Sequence, residues 1–110
     1  MTPNLLHDLI DYLGIEKPVF VEFRTIHKKA YDAYYLPKYS RKGEFNGHII
    51  KINLINSDRD IDTLLAHEMI HAWQEENGKT DIHGKPFQKM ARKVEKTFSL
   101  KRVYDHKIDV

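Results

Sequence analysis

Hydrophobic positions along the chain fall into blocks whose spacing switches between helical and extended periods. Leu5, Leu6, Leu9, Ile10 and Leu13 recur at spacings of three and four, which predicts an amphipathic helix capped by Thr2 or Asn4. Pro3 is tolerated in its opening turn, and Gly14 stops it. Pro18 to Arg24 is β-branched and aromatic, a strand with Val19, Val21 and Phe23 on one side. A polar turn at His27-Lys28-Lys29 leads to a second strand, Tyr31 to Leu36, closed by Pro37. Tyr39 to Gly47 reads as a loop hinged at Gly43 and Gly47, and His48 to Ile55 as a third strand antiparallel to the second. A long helix is expected from Arg59 to Asn77, opened by Asn56-Ser57-Asp58 and ended by Gly78. Asp58, Asp60 and Asp62 place negative charge at its positive end. Leu65, Met69, Ala72 and Trp73 form one stripe of that helix; Leu64, His67, His71 and Glu75 form the next. A last helix, Lys85 to Ser99, has Pro86 in its first turn and Phe87, Met90, Ala91, Val94 and Phe98 as core positions. Beyond it an extended tail lets Leu100, Val103 and Tyr104 tuck against the core while Asp105 to Val110 fray.

These elements predict an α+β fold. A small mixed or antiparallel sheet of about three strands packs with an N-terminal helix, a central helix and a C-terminal helix. The 110 residues suit one domain, with its core over about residues 5–98 and residues 100–110 as an extension. No apolar run approaches the ~20 residues that span a bilayer, and Met1-Thr2-Pro3-Asn4 lacks the form of a secretory signal. The absence of cysteine excludes disulfides, a cysteine zinc ribbon and a thiol nucleophile, so a reducing, cytoplasmic location is expected. Net charge is +2 but uneven: residues 1–78 hold nine Lys/Arg against twelve Asp/Glu, and residues 79–110 nine against four. The basic excess lies at Lys89, Arg92, Lys93, Lys96, Lys101 and Arg102. It fits either a nucleic-acid-facing surface or a solvated outer helix face.

Chemistry concentrates at His67-Glu68-Met69-Ile70-His71. Histidines four apart on a helix project from one face, one turn apart. Zinc takes two such imidazoles, a third protein ligand and a water in an open position. Glu68 then sits too far round to ligate and close enough to take a proton from that water. The third ligand has four candidates. His83 lies twelve residues past His71, in a tight His83-Gly84-Lys85-Pro86-Phe87 turn. Glu95 lies twenty-four past it, and His48 and His106 have no supporting context. The turn favours His83.

The sequence His67-Glu68-Met69-Ile70-His71-Ala72-Trp73, a short spacer, His83-Gly84-Lys85-Pro86-Phe87 and a basic helix resembles the SprT-like (Spartan-type) metalloprotease domain. Gly47 to Asn53 resembles the strand that leads into that family's active-site helix, and the likeness covers roughly residues 5–98. The resemblance implies a zincin fold, one zinc ion held by His67, His71 and His83, and Glu68 as catalytic base. It implies a zinc-dependent endopeptidase acting on protein substrates, in the best-known members DNA-bound or DNA-crosslinked ones. Lacking cysteine, this chain would be a compact form without the zinc ribbon, and it is expected to be a monomer.

Two other readings compete: an ImmA/IrrE-like peptidase of one dedicated regulator, and a DNA-binding module with a structural or inactive zinc site. A retained Glu68 disfavours the second, because a structural site needs no base. A peptide substrate is expected to add as a strand along Ile49–Leu54. For stabilising an oxyanion, Tyr34, Tyr35, Tyr104, His48 and His106 are all open.

Overall fold

The computed structural model describes residues 4–25, 31–54, 59–79, 81–105 and 107–108. The chain runs α1 (Leu5–Leu13), β1 (Val19–Arg24), β2 (Ala33–Tyr39), β3 (Phe45–Asn53), α2 (Ile61–Glu76) and α3 (Lys85–Phe98). The predicted order of elements holds. The turn at His27-Lys28-Lys29, the cap cluster at Asn56-Ser57-Asp58 and His106 lie outside the described residues.

Helix α1 buries Leu5, Leu9 and Leu13 and ends at Gly14, whose φ of 68° suits a residue without Cβ. The sheet order is β1-β3-β2, with β1 parallel and β2 antiparallel to β3. Its inner face stacks Val21, Ile50 and Tyr35 in register, then Phe23, Ile52 and Ala33. On the outer face Phe20, Ile49 and Leu36 align, with Phe20 and Leu36 exposed.

Pro37 does not close the second strand but lies inside β2, paired with His48. Since β2 is an edge strand, a residue without an N–H costs little there. The loop between β2 and β3 is correspondingly shorter, residues 40–44, turning at Gly43 (φ 83°). Gly47 is no hinge: it sits in β3, where a Cβ would stand 3.2 Å from the Pro18 carbonyl.

Helix α2 is the centre of the molecule. Every residue from Thr63 to Ala72 is buried, and Gln74 with them. Two separate stripes are therefore not visible, because the sheet, α1 and α3 all pack around this helix. Helix α3 keeps the predicted division: Phe87, Ala91 and Val94 are buried, and Lys89, Arg92, Lys93 and Lys96 face out.

In the tail beyond α3, Val103 packs against the core as expected, whereas Asp105 and Ile108 depart from the expectation of fraying. Val103 and Ile108 are fully buried, and the Ile108 carbonyl accepts the N–H groups of Asp32 (2.7 Å) and Ala33 (3.2 Å). Asp105 accepts Arg59 Nη2 at 2.5 Å, while Arg59 Nη1 reaches Asp32 at 2.5 Å. Burial works against ionisation of Asp105, yet the hydrogen bonds from Arg59 outweigh it and hold its carboxyl down at about 2. Ile108 and the Asp105 carboxylate find their partners only in the folded chain, so local sequence gave no sign of their anchoring.

Candidate metal centre

His67 and His71 project from one face of α2, with ring centroids 5.0 Å apart. His83 enters from the turn before α3, its ring 5.3 Å from His67 and 5.0 Å from His71. One ring nitrogen from each of the three lies within 4.8 Å of the others. The Nε2 atoms of His67 and His83 are 3.4 Å apart.

Hydrogen bonds on the far side of the rings fix which nitrogens converge. His67 Nδ1–H donates to the Val103 carbonyl at 2.6 Å, and a carbonyl can only accept. Gln74 donates its amide N–H to the Asp81 carbonyl (2.9 Å), which turns its own Oε1 to the Nδ1–H of His71 (2.9 Å). Both helix histidines are thereby held in the tautomer with a lone pair on Nε2, the form that ligates metal. Three imidazoles whose ring nitrogens lie this close together suit a divalent transition-metal ion. The residues fit the group.

Phe87 explains the rest of the turn. Its ring lies under the histidines, 4.8 Å from His67, 4.8 Å from His71 and 5.2 Å from His83, giving them an apolar floor. Pro86 in the first turn of α3 and Gly84 just before it set the chain's path there. A Cβ on Gly84 would collide with the Asp81 carboxylate. The His83 carbonyl accepts the Tyr104 hydroxyl at 3.3 Å, so the C-terminal segment braces the turn.

Glu68 is fully buried on α2 and lies outside the three-histidine cluster. Glu95, the rival ligand, also lies outside it and instead accepts the Val103 N–H at 2.9 Å. His48 is fully buried elsewhere: its Nδ1 is 2.6 Å from the Tyr35 hydroxyl and its Nε2 is 2.6 Å from Glu76. Beside the histidines opens a cleft of about 250 Å³, lined by Tyr34, Tyr35, His71, Gln74, Glu75, Lys79, Ile82 and His83.

Of the six basic residues, Lys89, Arg92, Lys93 and Lys96 are exposed on α3, and Lys101 and Arg102 are exposed just beyond it. Arg92 and Arg102 line a hollow with Glu95, Tyr104 and Asp105. Lys89 and Lys93 line a separate groove with Lys79, Lys85 and the half-buried Trp73. Sequence reasoning missed Gln74 and Val103. Gln74 stands three residues after His71, a spacing that places it on the same helix face and could have been noticed. Val103 acts through its main chain, which leaves no trace in residue type.

Residues 19–107 match the SprT-like family, and the chain belongs to that family. The crystal structure of the metallopeptidase zymogen abylysin from Pyrococcus abyssi has the same fold. Its TM-score is 0.51 at 24% identity, over 94% of this chain and 85% of that one. The architecture is thus a zincin-like α+β fold. No curated protein matches the chain. Family membership and the histidine cluster support a metallopeptidase-type function. Among the described residues no helix is long and apolar enough to cross a membrane.

Proposed function

We propose that the chain is a zinc-dependent endopeptidase acting on protein substrates, with His67, His71 and His83 as ligands and Glu68 as general base. The observation that carries this reading is the convergence of three imidazoles beside a buried carboxylate on the same helix. A zinc ion bound there would act as a Lewis acid and bring the pKa of water down towards ~7. Glu68 takes the proton of the attacking water and delivers it to the leaving amine. Val103 and Gln74 keep the two helix histidines in register throughout, because their acceptors hold both Nδ1–H groups.

A substrate strand along Ile49–Leu54 is excluded by the topology, since β3 is central and both its edges are paired. The outer edge of β2 takes that role instead. It is an edge strand, and its Tyr34 and Tyr35 line the cleft beside His71 and His83. We further propose DNA-associated proteins as substrates, supported by the four lysines of the Trp73 groove, where a base can stack while phosphates are neutralised.

The test is digestion of a DNA-binding protein by zinc-loaded chain, with and without single-stranded DNA, beside Glu68→Gln. Wild type is expected to cleave, and Glu68→Gln to keep fold and metal while losing at least about 100-fold in rate. Equal cleavage by both would remove Glu68 from the mechanism. Salt-insensitive DNA binding, or none, would remove DNA from the reading.

A further inference from the structure

The peptidase reading leaves one buried polar array unused. Tyr35 of β2, His48 of β3 and Glu76 at the end of α2 are joined in line by two hydrogen bonds of 2.6 Å each. Glu76 is itself held by the N–H groups of Glu16 (2.8 Å) and Lys17 (3.0 Å). His48 is fully buried in the sheet, where an apolar residue would pack without any need for partners. Tyr35, at one end of the array, lines the cleft beside the histidines, with its ring 6.4 Å from His71.

We propose that Tyr35 is a further catalytic residue, its hydroxyl donating to the oxygen of the tetrahedral species formed from the scissile carbonyl. His48 and Glu76 are the residues that position it. This rests on the peptidase reading. Of the other tyrosines named from the sequence, Tyr34 also lines the cleft but has no place in the array, its ring edge-on to Tyr31 at 4.5 Å, and the Tyr104 hydroxyl donates to the His83 carbonyl.

The array can run in two directions. With one ring proton, His48 donates Nε2–H to Glu76 and accepts the phenol O–H at Nδ1. With two, Nδ1–H donates to the phenol oxygen, which frees the O–H for a group in the cleft. The Glu76 carboxylate faces Nε2 in both arrangements: burial opposes its ionisation, but the bonds from His48, Glu16 and Lys17 prevail and keep its pKa low. Burial, then the nearby Glu75 and Glu76, push the Tyr35 phenol above its ordinary range, so it keeps its proton at neutral pH. A preorganised donor of this kind is worth on the order of 100-fold in turnover.

Zinc-loaded wild type and Tyr35→Phe are compared on a fluorescence-quenched peptide, and on a phosphinic peptide that mimics its tetrahedral state. Tyr35→Phe is expected to keep its metal, to hold KM within about twofold, and to lose roughly 100-fold in kcat and in phosphinic-peptide affinity. Glu76→Gln is expected to lower kcat in the wild type and to add nothing in Tyr35→Phe, since both act through one hydroxyl. Additive losses would make His48 and Glu76 merely structural. Cleavage and phosphinic-peptide binding that persist unchanged in Tyr35→Phe overturn this proposal alone. No cleavage and no phosphinic-peptide binding by the wild type overturn the peptidase reading together with it. Should Glu76→Gln fail to fold, Tyr35→Phe, which removes one oxygen, still decides.

Discussion

His83→Ala and Glu95→Ala test the ligand set against its support. Glu95 stands two steps behind the proposed ligand atom: its carboxylate accepts the Val103 N–H, and the Val103 carbonyl accepts Nδ1–H of His67. Zinc sites with four protein ligands bind with roughly 10–16 kcal/mol, or about 2.5–4 kcal/mol per ligand. His83→Ala should therefore weaken metal binding by roughly 70- to 900-fold. Groups behind the ligands typically contribute about 10–100-fold. Glu95 acts through the main chain of another residue, so Glu95→Ala belongs at the low end, about 10-fold. It should also cost about 1.5 kcal/mol of stability, the low end for a charged hydrogen bond, because the half-buried site admits water. Metal affinity is read by competition with a chromophoric chelator, and stability by urea denaturation of the metal-free chain. If Glu95→Ala loses metal as severely as His83→Ala, Glu95 is the ligand and the geometry has been misread.

The Arg59–Asp105 pair predicts a pH dependence. Asp105 falls from its ordinary 3.8 to about 2 in the fold, so its contribution of about 2 kcal/mol is full above about pH 4. That contribution is lost as pH falls through about 2. Urea midpoints of wild type and Asp105→Asn should converge over that window, and a constant difference down to pH 2 would sink the idea. Phe87→Ala empties the floor beneath three histidines and should cost about 3–5 kcal/mol, with metal affinity falling alongside. Unchanged metal affinity in a folded Phe87→Ala chain would show that the histidines need no floor.

The amino-acid sequence was sufficient for the elements of the fold and for the helix that carries the paired histidines, because those depend on local periodicity. Spacings of three and four placed α1, α2 and α3 within a residue or two, and Gly14 and Gly78 marked real ends. The pentapeptide put two imidazoles on one helix face by geometry alone, and the His-Gly-x-Pro-Phe turn pointed to the third. Tertiary structure decided everything carried by pairing and main chain. It set β3 between β1 and β2, which moved the open edge, and with it the proposed substrate strand, to β2. It drew Ile108 into the core from a stretch that looked free, and gave the Val103 carbonyl to His67. It assigned Glu95 to a backbone N–H and His48 to Tyr35 and Glu76. A hydrogen bond between residues 36 apart, one of them contributing only its backbone, has no counterpart in residue type or spacing. It exists because burial leaves each polar group in need of a partner, and only the packed chain determines which partner is near.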